Sequence, residues 1–308
     1  MDFLSFALRR IGRLLLTVLL ISTIIFFVIR VIPGDPALVI AGIDATNADI
    51  AAIRSKLGTD QPLTTQYFQW LSHIARFDFG ESLTSGEPVI KLILERFPLT
   101  LSLALMGIAI SLLIALPLGV LSAVKRWSLW DYLGMIISQL GMAIPSFWLG
   151  IMLLLLFAVM IPIFPLFGSG TLRHLLLPAI ALGFARAAVL LRLTRASMIE
   201  ELSKEYVVAA RAKGLTENMV KFKHTLRNAL LPVVTIAGIQ LGYMLGGAII
   251  IEQVFSLPGL GRLFLYGVYQ RDFNLIQGGV VFVALIFSLI NFIVDLLYSV
   301  LNPRIRIR

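Results

Sequence analysis

The chain has 308 residues, 58% of them hydrophobic and only 14% charged, and its mean hydropathy is +0.93. Those values exclude a water-soluble globule of this length and point to an integral membrane protein. The net charge of +9 would suit nucleic acid, but its distribution along the chain does not, and the absence of cysteine excludes disulfides and thiolate chemistry.

Six apolar runs are long enough, at about 20 residues each, to cross a bilayer core. They fall at 14–32, 98–122, 133–159, 177–195, 229–252 and 276–300. The first follows Arg9, Arg10 and Arg13 as a signal peptide would. At ~19 residues and without a small-residue cleavage site, it reads as a retained anchor. The segment 33–97 then offers helices over 48–57, ending at Gly58, and over 62–76, where Leu63, Tyr67, Trp70, Leu71 and Ile74 recur at helical spacing. A third amphipathic stretch, 87–96, stops before Pro98. Short amphipathic helices of this kind cap a bundle or lie in the interface; a structural cap is favoured here over a binding site. Pro117 and Pro145 should kink spans two and three.

Small residues four apart mark packing faces, Ala179, Gly183 and Ala187 in span four and Gly238, Gly242 and Gly246 in span five. They serve either packing within the chain or a subunit interface. Ionisable residues at membrane depth are costly unless paired or hydrated. Arg186 lies mid-span and suits an aqueous cavity. Arg192 and Asp295 lie at similar depths near the inner ends of spans four and six, which predicts an ion pair between them. Glu252 closes span five on the outer side. All four are candidates for the translocation pathway or its gate.

Between spans four and five lies a polar, basic stretch, EYVVAARAKGLTENMVKFKHTLRNALLP, from Glu205 to Pro232. Ala209, Ala210 and Arg211 favour helix up to Gly214, and Leu215, Met219, Phe222 and Leu226 then recur at helical spacing. This predicts two short helices joined at Gly214, with one apolar stripe. Periodicity alone leaves open whether the stretch is a solvated loop or a docking element. With the N-terminus inside, the cytoplasmic segments hold 15 of the 26 basic residues, so both termini read as cytoplasmic.

The stretch resembles the cytoplasmic loop of binding-protein-dependent ABC importer permeases, where a helix of this pattern couples to the ATPase. ARAKGL followed by HTLRNALLPVV is similar to the oligopeptide/dipeptide/nickel branch, as are GDPA, DQPLTTQYFQWL, FDFGESL and EPVIKLILERFPLTL upstream. Val208 stands where the broad pattern has Glu and Arg227 where it has Pro, and both departures resemble the peptide branch.

The resemblance implies a first-permease subunit with an all-α, six-helix, type I ABC importer permease fold in a bacterial inner membrane. It implies an anchor with its N-terminal tail over 1–32, an external helical region 33–97, a five-helix core 98–301 with a coupling loop 196–228, and a basic tail 302–308. Glu205, Ala209, Ala210, Arg211, Gly214, Leu215, Met219 and Phe222 would couple to the ATPase. The implied partners are a second homologous permease, two cytoplasmic ATPase subunits or one heterodimer, an external solute-binding protein and membrane lipid, with no nucleic acid. ATP and Mg²⁺ would sit in the ATPases, with no cofactor or metal in this chain. The expected cargo is a di- or oligopeptide; the alternatives are nickel or glutathione transport, or a stand-alone secondary transporter or channel.

The chain's own chemistry agrees with a non-enzymatic role. His73, His174 and His224 lie far apart in sequence, and no GxSxG, HExxH or GxxxxGK[ST] pattern occurs. An ATP-powered protein of this sequence must borrow its hydrolysis from another polypeptide.

Overall fold

The computed structural model describes residues 3–31, 36–41 and 45–301, so the basic tail 302–308 lies outside the described residues. Regular structure there is helical: α1 (Phe3–Val31), α2 (Pro36–Ala41), α3 (Asn47–Leu57), α4 (Leu63–Ala75), α5 (Val89–Val124), α6 (Leu129–Ala143) and α7 (Ser146–Leu154). Then come α8 (Leu172–Leu202), α9 (Glu205–Ala212), α10 (Leu226–Val254), α11 (Leu260–Tyr269) and α12 (Phe273–Leu301). Two π-helical stretches, Leu155–Met160 and Met219–Thr225, extend α7 and lead into α10.

Among the described residues, five helical segments are long and apolar enough to cross a membrane, and α6 with α7 make a sixth span bent by 99°. The predicted straight run 133–159 is therefore two helices. Ile144, the residue before Pro145, sits in extended backbone at φ −83°, ψ 120°. A proline ring clashes with a helical predecessor, and here the chain yields at that point. Elsewhere it does not: α5 runs unbroken through Pro98 and Pro117, and α8 and α10 contain Pro178 and Pro232. Each of those prolines forgoes one intrahelical hydrogen bond, which transmembrane helices tolerate. For the same reason the expected separate helix at 87–96 is instead the beginning of α5.

The fold divides into two compact units, a larger one centred on Thr100–Leu257 and a smaller one of Leu8–Leu99 with Pro258–Ser288. In the larger unit α8 is central, and α6, α7 and α10 pack on it. Its apolar layers include Ala115, Leu190, Leu191, Val233 and Ala237. Gly183 explains how closely α5 and α8 approach. A Cβ there would lie 2.5 Å from the Gly107 carbonyl oxygen. The Ser111 hydroxyl lies 2.8 Å from the Gly107 carbonyl and 2.7 Å from the Gly183 carbonyl. Gly183→Ala is expected to cost about 1–3 kcal/mol, because the helices must part to admit the methyl group. Gly246→Ala should leave the melting temperature in detergent unchanged, since nothing lies within 4 Å of its Cβ position. Equal melting of both variants and the parent would refute this reading. The glycine face of α10 is thus divided: Gly238 packs against Val294, while Gly246 is exposed.

In the smaller unit, Phe79, Val89, Ile93, Leu260, Leu263, Leu275, Val281 and Phe282 form the core. α3 begins at a capping box between Thr46 and Asp49 and ends at Gly58, which adopts φ 66°. α2 and α11, too short to stand out by periodicity, were not expected. Asp272, fully buried before α12, accepts hydrogen bonds from Ser82 Oγ (2.5 Å), Thr84 Oγ1 (3.1 Å) and the Leu275 amide (3.1 Å). It anchors the 82–84 loop to the start of that helix.

Candidate coupling loop and intramembrane polar sites

α9 starts at Glu205 and closes at Gly214, where the chain turns with φ +75°. The Gly214 amide donates to the Arg211 carbonyl (2.9 Å) and the Leu215 amide to the Ala210 carbonyl (3.4 Å). A β-carbon is strained at that φ, so glycine fits for conformational reasons alone; no atom crowds it. Beyond the turn, the expected second helix is not separate. It begins as the π-helical stretch and continues directly into α10.

The apolar stripe also differs from expectation. Val207, Ala210 and Val220 are buried together, with Tyr206 and Leu215 packed against them. Met219 and Phe222 instead face outward, 39% and 54% exposed, as does Val208 at 60%. The 3.6-residue spacing from Leu215 does not apply, because Leu215 and Thr216 lie outside any helix and regular helical backbone resumes only at Glu217. Glu205, Ala209 and Arg211 are exposed as well. Glu217 clamps the turn, receiving Arg211 Nε at 2.7 Å and lying 3.1 Å from Lys221 Nζ. The hydrogen bond from Arg211, followed by that from Lys221, holds its carboxyl below the usual carboxylate range. The loop therefore has a small buried heart, an internal ion cluster and three exposed apolar side chains, Val208, Met219 and Phe222.

Within the membrane, the structure redistributes the expected partners. Arg186 is half-buried and donates from Nη1 to Gln240 Oε1 at 3.2 Å, joining α8 to α10. Arg192 is exposed and enters no salt bridge among the described residues, so the expected pair with Asp295 is not formed. The arginine that finds a carboxylate is Arg195, almost a full turn further on. Its Nε lies 2.6 Å from Asp131 Oδ1 and its Nη2 2.9 Å from Oδ2, a bidentate contact. The Trp127 amide adds a third bond at 3.1 Å, and the Asp131 side chain is fully buried. Sequence reading missed this pair because Asp131 precedes the hydrophobic run and Arg195 counted only as a loop charge. Glu252 lies two residues before the end of α10, where it is fully buried and accepts from Thr100 Oγ1 at 2.6 Å. Asp295, on α12, is half-buried.

Comparison with known proteins reaches the same architecture. Residues 115–307 match the family described as binding-protein-dependent transport system inner membrane component, and residues 3–104 match the N-terminal domain of such membrane components. The chain is 42% identical over 305 residues to the glutathione transport system permease protein GsiC of Salmonella paratyphi A, covering 98% of this chain and 99% of that one. It is 41% identical, with the same coverage, to GsiC of Escherichia coli K12. Among solved structures, an amino acid ABC transporter crystallised with histidines covers 70% of this chain and 94% of its own, with a TM-score of 0.51 at 18% identity. That likeness concerns the fold.

Proposed function

We propose, for a chain that belongs to the family of binding-protein-dependent transport system inner membrane components, that its cargo is a short peptide, with glutathione first among the candidates. Membership makes the chain a multi-pass inner-membrane permease of a bacterial ABC importer, a transport component. The observation that supports the cargo is the 42% identity, over nearly the full length, to permeases named for glutathione transport. A di- or oligopeptide shares the same chemistry of amide, carboxylate and ammonium groups.

The proposed mechanism begins at the loop. The exposed apolar side chains Val208, Met219 and Phe222 would seat in a groove of a cytoplasmic ATPase subunit, with Glu205, Ala209, Ala210, Arg211, Gly214 and Leu215 shaping the turn beside them. ATP and Mg²⁺ would bind in those partners. Because Met219–Thr225 runs directly into α10, movement of the seated loop would be transmitted to a membrane-spanning helix without an intervening hinge. The energy would enter as differential stabilisation of inward- and outward-open states. A second permease would complete the pathway and an external binding protein would deliver the cargo.

Arg186 is the pathway residue best supported. Its hydrogen-bond partner among the described residues is a neutral amide, so its charge calls for water or an anionic solute beside it. Arg192, Glu252 and Asp295 are assigned to the gates at either end.

The test is reconstitution. Proteoliposomes holding this chain with its copurifying subunits and a cognate binding protein should import labelled glutathione when ATP is supplied. The chain by itself should import nothing. Uptake by the isolated chain, or copurification without a P-loop ATPase, would defeat the proposal.

A further inference from the structure

The smaller unit contains a cleft of about 790 Å³, formed by the last turns of α1, by α3 and α4, and by the start of α12. That volume lies in the range of small-molecule sites, roughly 300–1,000 Å³. The cleft is not part of the coupling loop or of the intramembrane polar sites.

Its polar groups are built in. Arg30 is held by three hydrogen bonds: Nε and Nη2 to Gln66 Oε1 (3.1 and 3.0 Å) and Nη1 to the Phe26 carbonyl (3.1 Å). Its guanidinium lies 3.4 Å from the centre of the Phe26 ring. Arg54 adds a second cation to the lining. Asp78 is fixed by the Gly80 amide (2.9 Å) and His73 Nδ1 (2.7 Å), and the bond to His73 holds its carboxyl below the ordinary range. Trp70 and Phe79 add apolar surface.

Gln277 is the observation that points to a ligand. It lines the cleft at 5% exposure, and its Nε2 is a buried donor with no acceptor among the described residues. A buried amide without an acceptor is costly, and a bound carbonyl or carboxylate oxygen would satisfy it.

We propose that this cleft binds a short acidic peptide on the external side before translocation, its carboxylates met by Arg30 and Arg54, its ammonium by Asp78 and a backbone carbonyl by Gln277. Two guanidinium groups and one carboxylate complement a solute with two carboxylates and one ammonium. Glutathione, a tripeptide, has that set. The inference rests on the peptide cargo proposed above and adds a second place where this chain reads it.

The experiment is calorimetric titration of the whole transporter in nanodiscs, without binding protein, using glutathione, trialanine and phosphoethanolamine as probes. Glutathione should bind at least tenfold more tightly than trialanine, which has one carboxylate fewer. Arg54→Gln, at an exposed position, and Gln277→Leu should each weaken glutathione binding at least tenfold. Wild-type affinity in both folded variants would overturn the site. So would binding of phosphoethanolamine in place of glutathione, which would identify a lipid-headgroup pocket. ATP-driven uptake with the binding protein separates the two proposals: glutathione import by the parent together with unchanged binding in both variants removes the cleft and leaves the cargo. A parent that neither imports nor binds glutathione removes both.

Discussion

Arg195→Ala should destabilise the protein by about 3–5 kcal/mol, because it leaves the buried Asp131 carboxylate without its counter-charge. Asp131 is fully shielded from solvent, whereas Arg195 retains 22% exposure, so the loss should be larger for Arg195→Ala than for Asp131→Ala. A freed Arg195, already 22% exposed on a long flexible side chain, can reorient its head towards water, an escape closed to the fully buried aspartate. The double variant should be more stable than Arg195→Ala alone, since it buries no charge. Thermal melting in detergent across the four proteins checks this. Additive losses would show that the two residues stabilise the bundle through other partners.

Gly214→Val should abolish ATP-driven uptake while leaving the subunit inserted and assembled. Valine at φ +75° is strained by the backbone, on the order of 1–2 kcal/mol, but meets no neighbour within 4 Å. The strain is relieved by reorienting the turn, which would carry Met219 and Phe222 away from their partner. ATPase activity should then persist uncoupled from transport. Normal uptake by this variant would remove the loop from the mechanism. Phe222→Ser offers a complementary measurement: its exposed ring contributes nothing to the chain's own core, so a transport defect with unchanged melting would assign it to an interface.

The length and apolarity of the runs determined by themselves that this chain spans a membrane repeatedly, because in hydrocarbon every backbone polar group must be satisfied within a helix. The charge of the short loops supplied an expected orientation, with both termini cytoplasmic. Residue chemistry also located the turn at Gly214 and the stop at Gly58, where the structure shows positive φ at both. These are local properties, decided by a residue and its immediate neighbours.

Tertiary structure decided what depends on where a helix faces. Pro145 separates α6 from α7 while Pro117 lies within unbroken α5, although both rings lack the same amide hydrogen, so residue type alone does not decide which course the chain takes. The break in helical backbone at Leu215 and Thr216 resets the phase, so that Val220 is buried while Met219 and Phe222 are exposed, which continuous 3.6-residue spacing from Leu215 does not reveal. Depth along the bilayer suggested Arg192 and Asp295 as partners, but depth is one coordinate of three. Arg195 lies about 60° around α8 from Arg192 and nearly one turn further along it, and it is Arg195 that meets the Asp131 carboxylate of α6. Likewise, the walls of the cleft in the smaller unit come from segments as far apart as Ile29 and Gln277, and only folding brings them to line one cavity.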